Sequence, residues 1–193
     1  MKVVTQVVLL AGALAGATLL APRPLRLVGG GEDSSAYRGV SLAGAEFGTH
    51  VPGFGGSAPG KFGVDYTYPT PQTMRYFAQL GMTHFRLPVR WERLQGVPGG
   101  DLNDVELGRL FETLDAASQL GCQVVLDLHN YGRYVRALDS GPVECQIGRD
   151  HNDWVPLTKD DFADLWARIS YALCGLPEVA GYGLMNEPHD LGP

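Results

Sequence analysis

The residues best placed to do chemistry are Asn186-Glu187-Pro188-His189, which follow the apolar run Val179-Ala180-Gly181-Tyr182-Gly183-Leu184-Met185. A short apolar run of this kind reads as a buried strand. Its C-terminal end then delivers an amide, which can hydrogen-bond a hydroxyl, beside a carboxylate, which can move a proton. Chemistry with paired carboxylates needs a second one, and the sequence ends at Pro193 with no further strand to supply it. Adjacent side chains in a strand face opposite ways. Asn186 and Glu187 can therefore share a site only if the strand has ended there, and Pro188, which cannot extend a ladder, supports an ending.

Other polar residues fall at comparable places. Arg86 and Arg90 close a predicted strand over 83–89, and Asp127, His129 and Asn130 close another over 123–128. A first short strand is read over 39–44. Between the strands lie three predicted helices. The first is capped by Thr70, with Pro71 at the position where a missing N–H costs nothing, and it stops at Gly81. The second is capped by Asn103 with Glu106 three residues on, the spacing of a capping box, and stops at Gly121. The third is capped by Thr158 and runs through Leu165, Trp166, Ile169 and Leu173 to Gly175. Strict alternation of strand and helix implies a parallel sheet with right-handed crossovers. Continuous apolar strands such as Val124-Val125-Leu126 imply cover on both faces. An open doubly wound sheet and a (β/α)8 barrel both fit. No GxGxxG follows the first strand, which weakens the nucleotide-binding version. Barrel enzymes build their sites at the C-terminal ends of several strands, as the polar residues here are placed. The segment from Asn130 to Leu157 is long enough to be functional or disordered, and it carries Tyr131, Tyr134 and Trp154.

The chain has 193 residues, 45% hydrophobic and 19% charged, with a formal charge of −6. That is one ordinary globular domain's worth of chain. The acidic balance and the lack of a dense basic run argue against nucleic acid as a partner. Residues 1–21, Lys2 followed by an apolar stretch from Val7 to Ala21, read as a secretory signal, with an uncleaved membrane anchor as the alternative. Residues 22–36 read as a linker, ending in a small, polar stretch over 29–36. Cys122, Cys145 and Cys174 allow one disulfide; Cys145, in the long loop, is the best candidate, and Cys122 and Cys174 fit buried free thiols. His50 and His189 form no recognisable metal constellation, and His151 has no assigned role.

Four segments carry a resemblance to a known family: 38–48 (Arg-Gly-Val-Ser-Leu-Ala-Gly-Ala-Glu-Phe-Gly), 85–95 (Phe-Arg-Leu-Pro-Val-Arg-Trp-Glu-Arg-Leu-Gln), 126–131 (Leu-Asp-Leu-His-Asn-Tyr) and 183–189 (Gly-Leu-Met-Asn-Glu-Pro-His). In their order and spacing they resemble the N-terminal half of a family 5 glycoside hydrolase, a cellulase in particular. The resemblance implies an α/β fold, about four βα units of a TIM (β/α)8 barrel over 37–193. It implies cleavage of β-1,4-glucan with retention, no cofactor and a polysaccharide partner. By the motif, Glu187 would be the acid/base, with its pKa raised to hold a proton. Asn186 would bond the sugar 2-OH. Arg86 and His129 would orient the carboxylates and contact sugar, with Asn130, Trp91 and Tyr131 further candidates for binding or orienting substrate. The nucleophile would be a Glu ending a seventh strand, absent from this chain; Glu46 and Glu92 do not stand in its place. The fragment alone is then expected to be inactive.

Plainer readings stand beside these. Arg86 could be a buried partner for an acid, His129 a satisfied core histidine, and Asp127 an orienting or structural group. His84 is read as core or interstrand and Trp166 as core. Trp91 and Tyr131 could stack on sugar or pack between helix and barrel. A β-mannanase, a β-1,3-glucanase, a non-catalytic glucan binder and a partial gene reading are the alternatives in function. No stable protein partner is implied, although exposed edges at the first and fourth strands would invite self-association.

Overall fold

The computed structural model describes residues 37–149 and 156–192. The signal or anchor, the linker, His151 and Trp154 lie outside the described residues. In chain order the elements are β1 (Gly39–Ser41), α1 (Pro71–Gln79), β2 (His84–Val89), α2 (Trp91–Leu94), α3 (Asp104–Gln119), β3 (Gln123–Leu128), β4 (Arg133–Leu138), β5 (Gly141–Gln146), α4 (Lys159–Ala172) and β6 (Val179–Gly183). Four strands form one parallel sheet in the order β1-β2-β3-β6. The other two strands form a separate antiparallel hairpin.

Strand period decides what each face carries. Phe85, Leu87 and Val89 of β2, with Val124, Leu126 and Leu128 of β3, are buried in one core with Met74, Leu110, Leu114, Ala117, Leu165 and Ile169 from the three long helices. The alternate residues Arg86 and Val125, paired in register, are only half-buried. Cover on both faces was expected from the apolar runs. Helices cover one face, and the other, which a closed barrel would turn inward, is only partly enclosed.

The helix starts follow from the caps. Thr70 accepts a hydrogen bond from Thr73 N–H, and Pro71 opens α1. Thr158 and Asp161 form a reciprocal capping box on α4. On α3, Asn103 accepts from Val105 and Glu106 N–H, but the Glu106 side chain does not reach back. It is buried and accepts instead from the hydroxyls of Tyr66 and Tyr68 and from Arg109. A buried carboxylate takes the strongest donors in reach, and two phenols and a guanidinium outweigh one backbone N–H.

The segment after β3 holds the largest departure from the sequence reading. In place of a loop from Asn130 to Leu157, its first half is the β4–β5 hairpin, residues 133–146. Tyr134 of that hairpin is buried, with its hydroxyl donating to the carbonyls of Gln95 and Gly96. Cys145 is a buried free thiol in β5 rather than a loop cysteine ready to pair, and burial pushes its pKa up. Cys122 is buried and free, as read; Cys174 is free but exposed. β1 is shorter than read, closing at Ser41. β1 and β6 each have one neighbour in the sheet and are its two edges.

Candidate active site

The site begins with Asp127, the last-but-one residue of β3, which is only 5% exposed. A buried carboxylate must be paired and hydrogen-bonded. Asp127 Oδ2 accepts from Arg86 Nη2 at 2.8 Å and faces His129 Nδ1 at 3.0 Å. A carboxylate facing Nδ1 fixes that nitrogen as the N–H donor and leaves Nε2 to accept. Arg86 Nη2 also donates to Asn186 Oδ1 at 2.7 Å. That bond orients the Asn186 amide and commits its oxygen, so the NH2 group is the part able to donate elsewhere. One guanidinium, from the middle of β2, thus ties the end of β3 to the residues after β6.

Backbone geometry brings the last segment in. β6 ends at Gly183, and Asn186 N–H donates to Leu128 O at 2.8 Å. A Cβ at Gly183 would sit 2.7 Å from Asp127 Oδ1, so only glycine lets Asp127 lie against this strand. Glu187 then adopts a left-handed backbone, φ 42°. The pleat has ended, so Asn186 and Glu187 are not held to opposite faces. Glu187 is exposed at the C-terminal end of the sheet.

A second layer supports the first. Asn130 is fully buried. Its Oδ1 accepts from Trp91 N–H at 2.8 Å, and its Nδ2 donates to Glu92 Oε2 at 2.8 Å and to Arg133 O at 3.0 Å. Glu92, also buried, accepts from Val135 N–H and pairs with Arg90, whose Nη1 donates to His129 O. Arg93 donates to three loop carbonyls, Pro59, Ala45 and Phe47, and so pins the Gly-rich loop after β1. Glu46 accepts from Gly44 N–H. Glu92 and Glu46 are thus committed to local structure.

Of the candidate residues, Arg86 and His129 meet at Asp127, and Asn186 joins them through Arg86, with Glu187 next in the chain. Tyr131 is half-buried, with its ring edge-on to His129 at 5.3 Å. Asn130 is a brace beneath the site, with its side chain fully engaged. Trp91 is a correction. At 0% exposure, with Nε1 donating to Gln95 Oε1 and its ring against Tyr134 and Phe162, it packs in the core and cannot stack on a sugar. Its rival reading, packing between helix and barrel, is the one the burial fits. Sequence reading missed Arg133, Glu92 and Tyr134. For Arg133 and Tyr134 a signal was an alternation of residues in 133–146 that a strand reading could have used; Glu92 carried none.

Grooves among the described residues run along α1 and α3 and beside Tyr134. Among the described residues no group of three or more His, Cys, Asp or Glu side chains could hold a metal ion, and no helix is long and apolar enough to cross a membrane.

Comparison with known proteins places this geometry. The family model described as Cellulase (glycosyl hydrolase family 5) matches residues 40–193. Endo-beta-1,4-glucanase A of Emericella nidulans is 38% identical over 170 residues, covering 86% of this chain and 44% of the relative. Endoglucanase EG-II of Hypocrea jecorina is 28% identical over 165 residues, 80% of this chain and 36% of the relative. Among solved structures, the endoglucanase Cel5A of Pseudomonas stutzeri is similar at a TM-score of 0.66 and 36% identity, covering 80% of this chain and 42% of that one. The endo-beta-1,4-glucanase Xac0029 of Xanthomonas axonopodis pv. citri gives 0.65 and 36%, with the same coverage. The chain spans less than half the length of these proteins, and its four parallel strands with their helices are about half of a TIM (β/α)8 barrel. The chain belongs to glycosyl hydrolase family 5, the cellulase family.

Proposed function

We propose that this chain supplies the acid/base half of a retaining β-1,4-glucan hydrolase. The observation that carries the proposal is the network in which Arg86, from within β2, joins Asp127 and His129 at the end of β3 to Asn186 just past β6, next to the exposed Glu187. Relatives named as endo-β-1,4-glucanases support the substrate. In this reading Glu187 gives its proton to the glycosidic oxygen as the bond to the anomeric carbon breaks, and later takes a proton from water. A second carboxylate about 5 Å away attacks the anomeric carbon. That nucleophile comes from a later strand of the barrel. Asn186 donates its NH2 to the sugar 2-OH, a bond that strengthens as the ring flattens toward the oxocarbenium ion. Arg86 holds Asn186 in that role, and His129, turned by Asp127, offers Nε2 to substrate. Residues 37–193 form the catalytic part, and residues 1–21 direct secretion.

The test is Glu187→Gln in a polypeptide that carries the complete barrel. Release of reducing ends from soluble β-1,4-glucan should fall by about 10²-fold or more. A variant that keeps full activity would remove Glu187 from the chemistry. Mannan and β-1,3-glucan in the same assay should be poorer substrates; equal rates would point to the other sugars. The chain by itself should release nothing. Because β1 and β6 each have one unpaired edge, the isolated chain should also self-associate. A monodisperse monomer in light scattering, melting cooperatively, would refute that.

A further inference from the structure

Three residues other than glycine have left-handed backbones among those described: Tyr131 (φ 56°), Glu187 (φ 42°) and Asp190 (φ 54°). All three lie in two loops, after β3 and after β6, that one side chain joins. Arg133, at the start of the hairpin, is 13% exposed. Its Nη1 donates to Tyr131 O at 2.7 Å and lies 3.1 Å from His189 Nε2, while its Nε donates to Glu144 Oε1 on β5 at 2.9 Å. His189 Nδ1 lies 2.8 Å from Asp190 Oδ2. Both ring nitrogens of His189 face Arg133, because Nη2 also lies 3.2 Å from Nδ1. Arg133 Nη2 also lies 3.6 Å from Asp190 Oδ2. The joint continues in the backbone, where Gly192 N–H donates to Ile147 O, just past β5. The Leu191 side chain packs against Gly132.

We propose that Arg133 is a positioning residue for Glu187. This rests on the reading of Glu187 as the acid/base. Left-handed backbone at a residue with a side chain persists only where its surroundings over-determine it. Asn186 is fixed on one side of Glu187 by Arg86 and by Leu128 O. On the other side, Arg133 fixes His189 and Asp190 against the hairpin. The carboxyl of Glu187 hangs between two anchored residues, and the second anchor is Arg133. A fork-shaped guanidinium can serve Tyr131, Glu144 and His189 together; an ammonium cannot.

The test compares two leaving groups in a polypeptide carrying the complete barrel. Protonation by Glu187 matters for a sugar leaving group and little for an activated one such as dinitrophenolate, which departs unaided. In Arg133→Ala, kcat/KM on a cello-oligosaccharide should fall about tenfold, while kcat/KM on dinitrophenyl β-cellobioside stays within about twofold. His189→Ala, at an exposed side chain, should give the same selective loss, and the double variant should be no worse than either single one, because both cut one link. Equal losses on both substrates would mean a structural role only. No loss in either variant, or additive losses, would also overturn the proposal. Glu187→Gln run alongside separates the two readings: if it shows no leaving-group dependence, the acid/base assignment fails whatever Arg133 does.

Discussion

Two buried carboxylates in this molecule, Asp127 and Glu106, have nearly the same chemical company and different settings. Asp127 pairs with a guanidinium and an imidazole. Glu106 pairs with a guanidinium and two phenols. Glu106 sits in the first turn of α3, where it closes the gap between that helix and the loop after β1. Asp127 sits at the C-terminal end of a central strand, and its partner Arg86 keeps 37% of its side chain exposed and reaches on to Asn186. A buried acid alone therefore says little about function. Partners that stay open to solvent at a strand end distinguish the candidate site from the brace.

This contrast predicts opposite phenotypes. The largest effect on folding should come from Glu106→Ala, which strands two tyrosine hydroxyls and Arg109. Loss of one member of a buried charged cluster costs about 3 kcal/mol, to be read from denaturant unfolding. Asp127→Asn should do the reverse. It keeps the shape and most hydrogen bonds, so stability should change by about 1 kcal/mol. On the proposed function, glucan hydrolysis by the complete barrel should fall roughly 10²-fold, because Arg86 and His129 lose the charge of their common anchor and Asn186 is held through Arg86. If Asp127→Asn unfolds the protein while Glu106→Ala is benign, the two roles are exchanged.

The brace should also be the alkaline weak point. Burial, with the Glu106 charge and hydrogen bonds, pushes Tyr66 and Tyr68 far above their ordinary value of 10, and burial raises Tyr134 as well. These folded-state values lie above the unfolded ones, so the stabilising contribution is complete below pH 10 and is lost as pH rises beyond it. Melting temperature should therefore drop as pH rises from about 10 toward about 12. Tyr66→Phe should flatten that slope; an unchanged slope would clear the cluster. The smallest effect belongs to the exposed pairs of Arg168 with Asp101 and Asp164. Arg168→Ala should leave the midpoint of a denaturant melt within its scatter.

The parts legible in the sequence were those fixed by local chemistry. Caps at Thr70, Asn103 and Thr158, glycine stops and apolar runs are short-range signals, and β2 and β3 were placed to within a residue. The order of polar residues in and after the apolar strands marks Arg86, His129, Asn186 and Glu187. What stayed hidden depends on contacts distant in sequence. Glu106 has the spacing of a capping box, but tyrosines some 40 residues earlier claim it. Trp91 directly follows a site arginine, and only the packing of α2 under the hairpin buries it. Cys145 read as a loop thiol because the hairpin around it mixes charged and apolar residues without a hairpin dipeptide at its turn.

The left-handed backbone at Glu187 has a consequence for how this protein could be altered. A non-glycine residue held there costs about 1 kcal/mol, a cost glycine would not bear. Glu187→Gly should thus fold at least as well as the natural chain while lacking the proposed acid. A screen that rewards thermal resistance alone would accept such a change, and selection for activity would reject it. At this position stability and work pull in opposite directions.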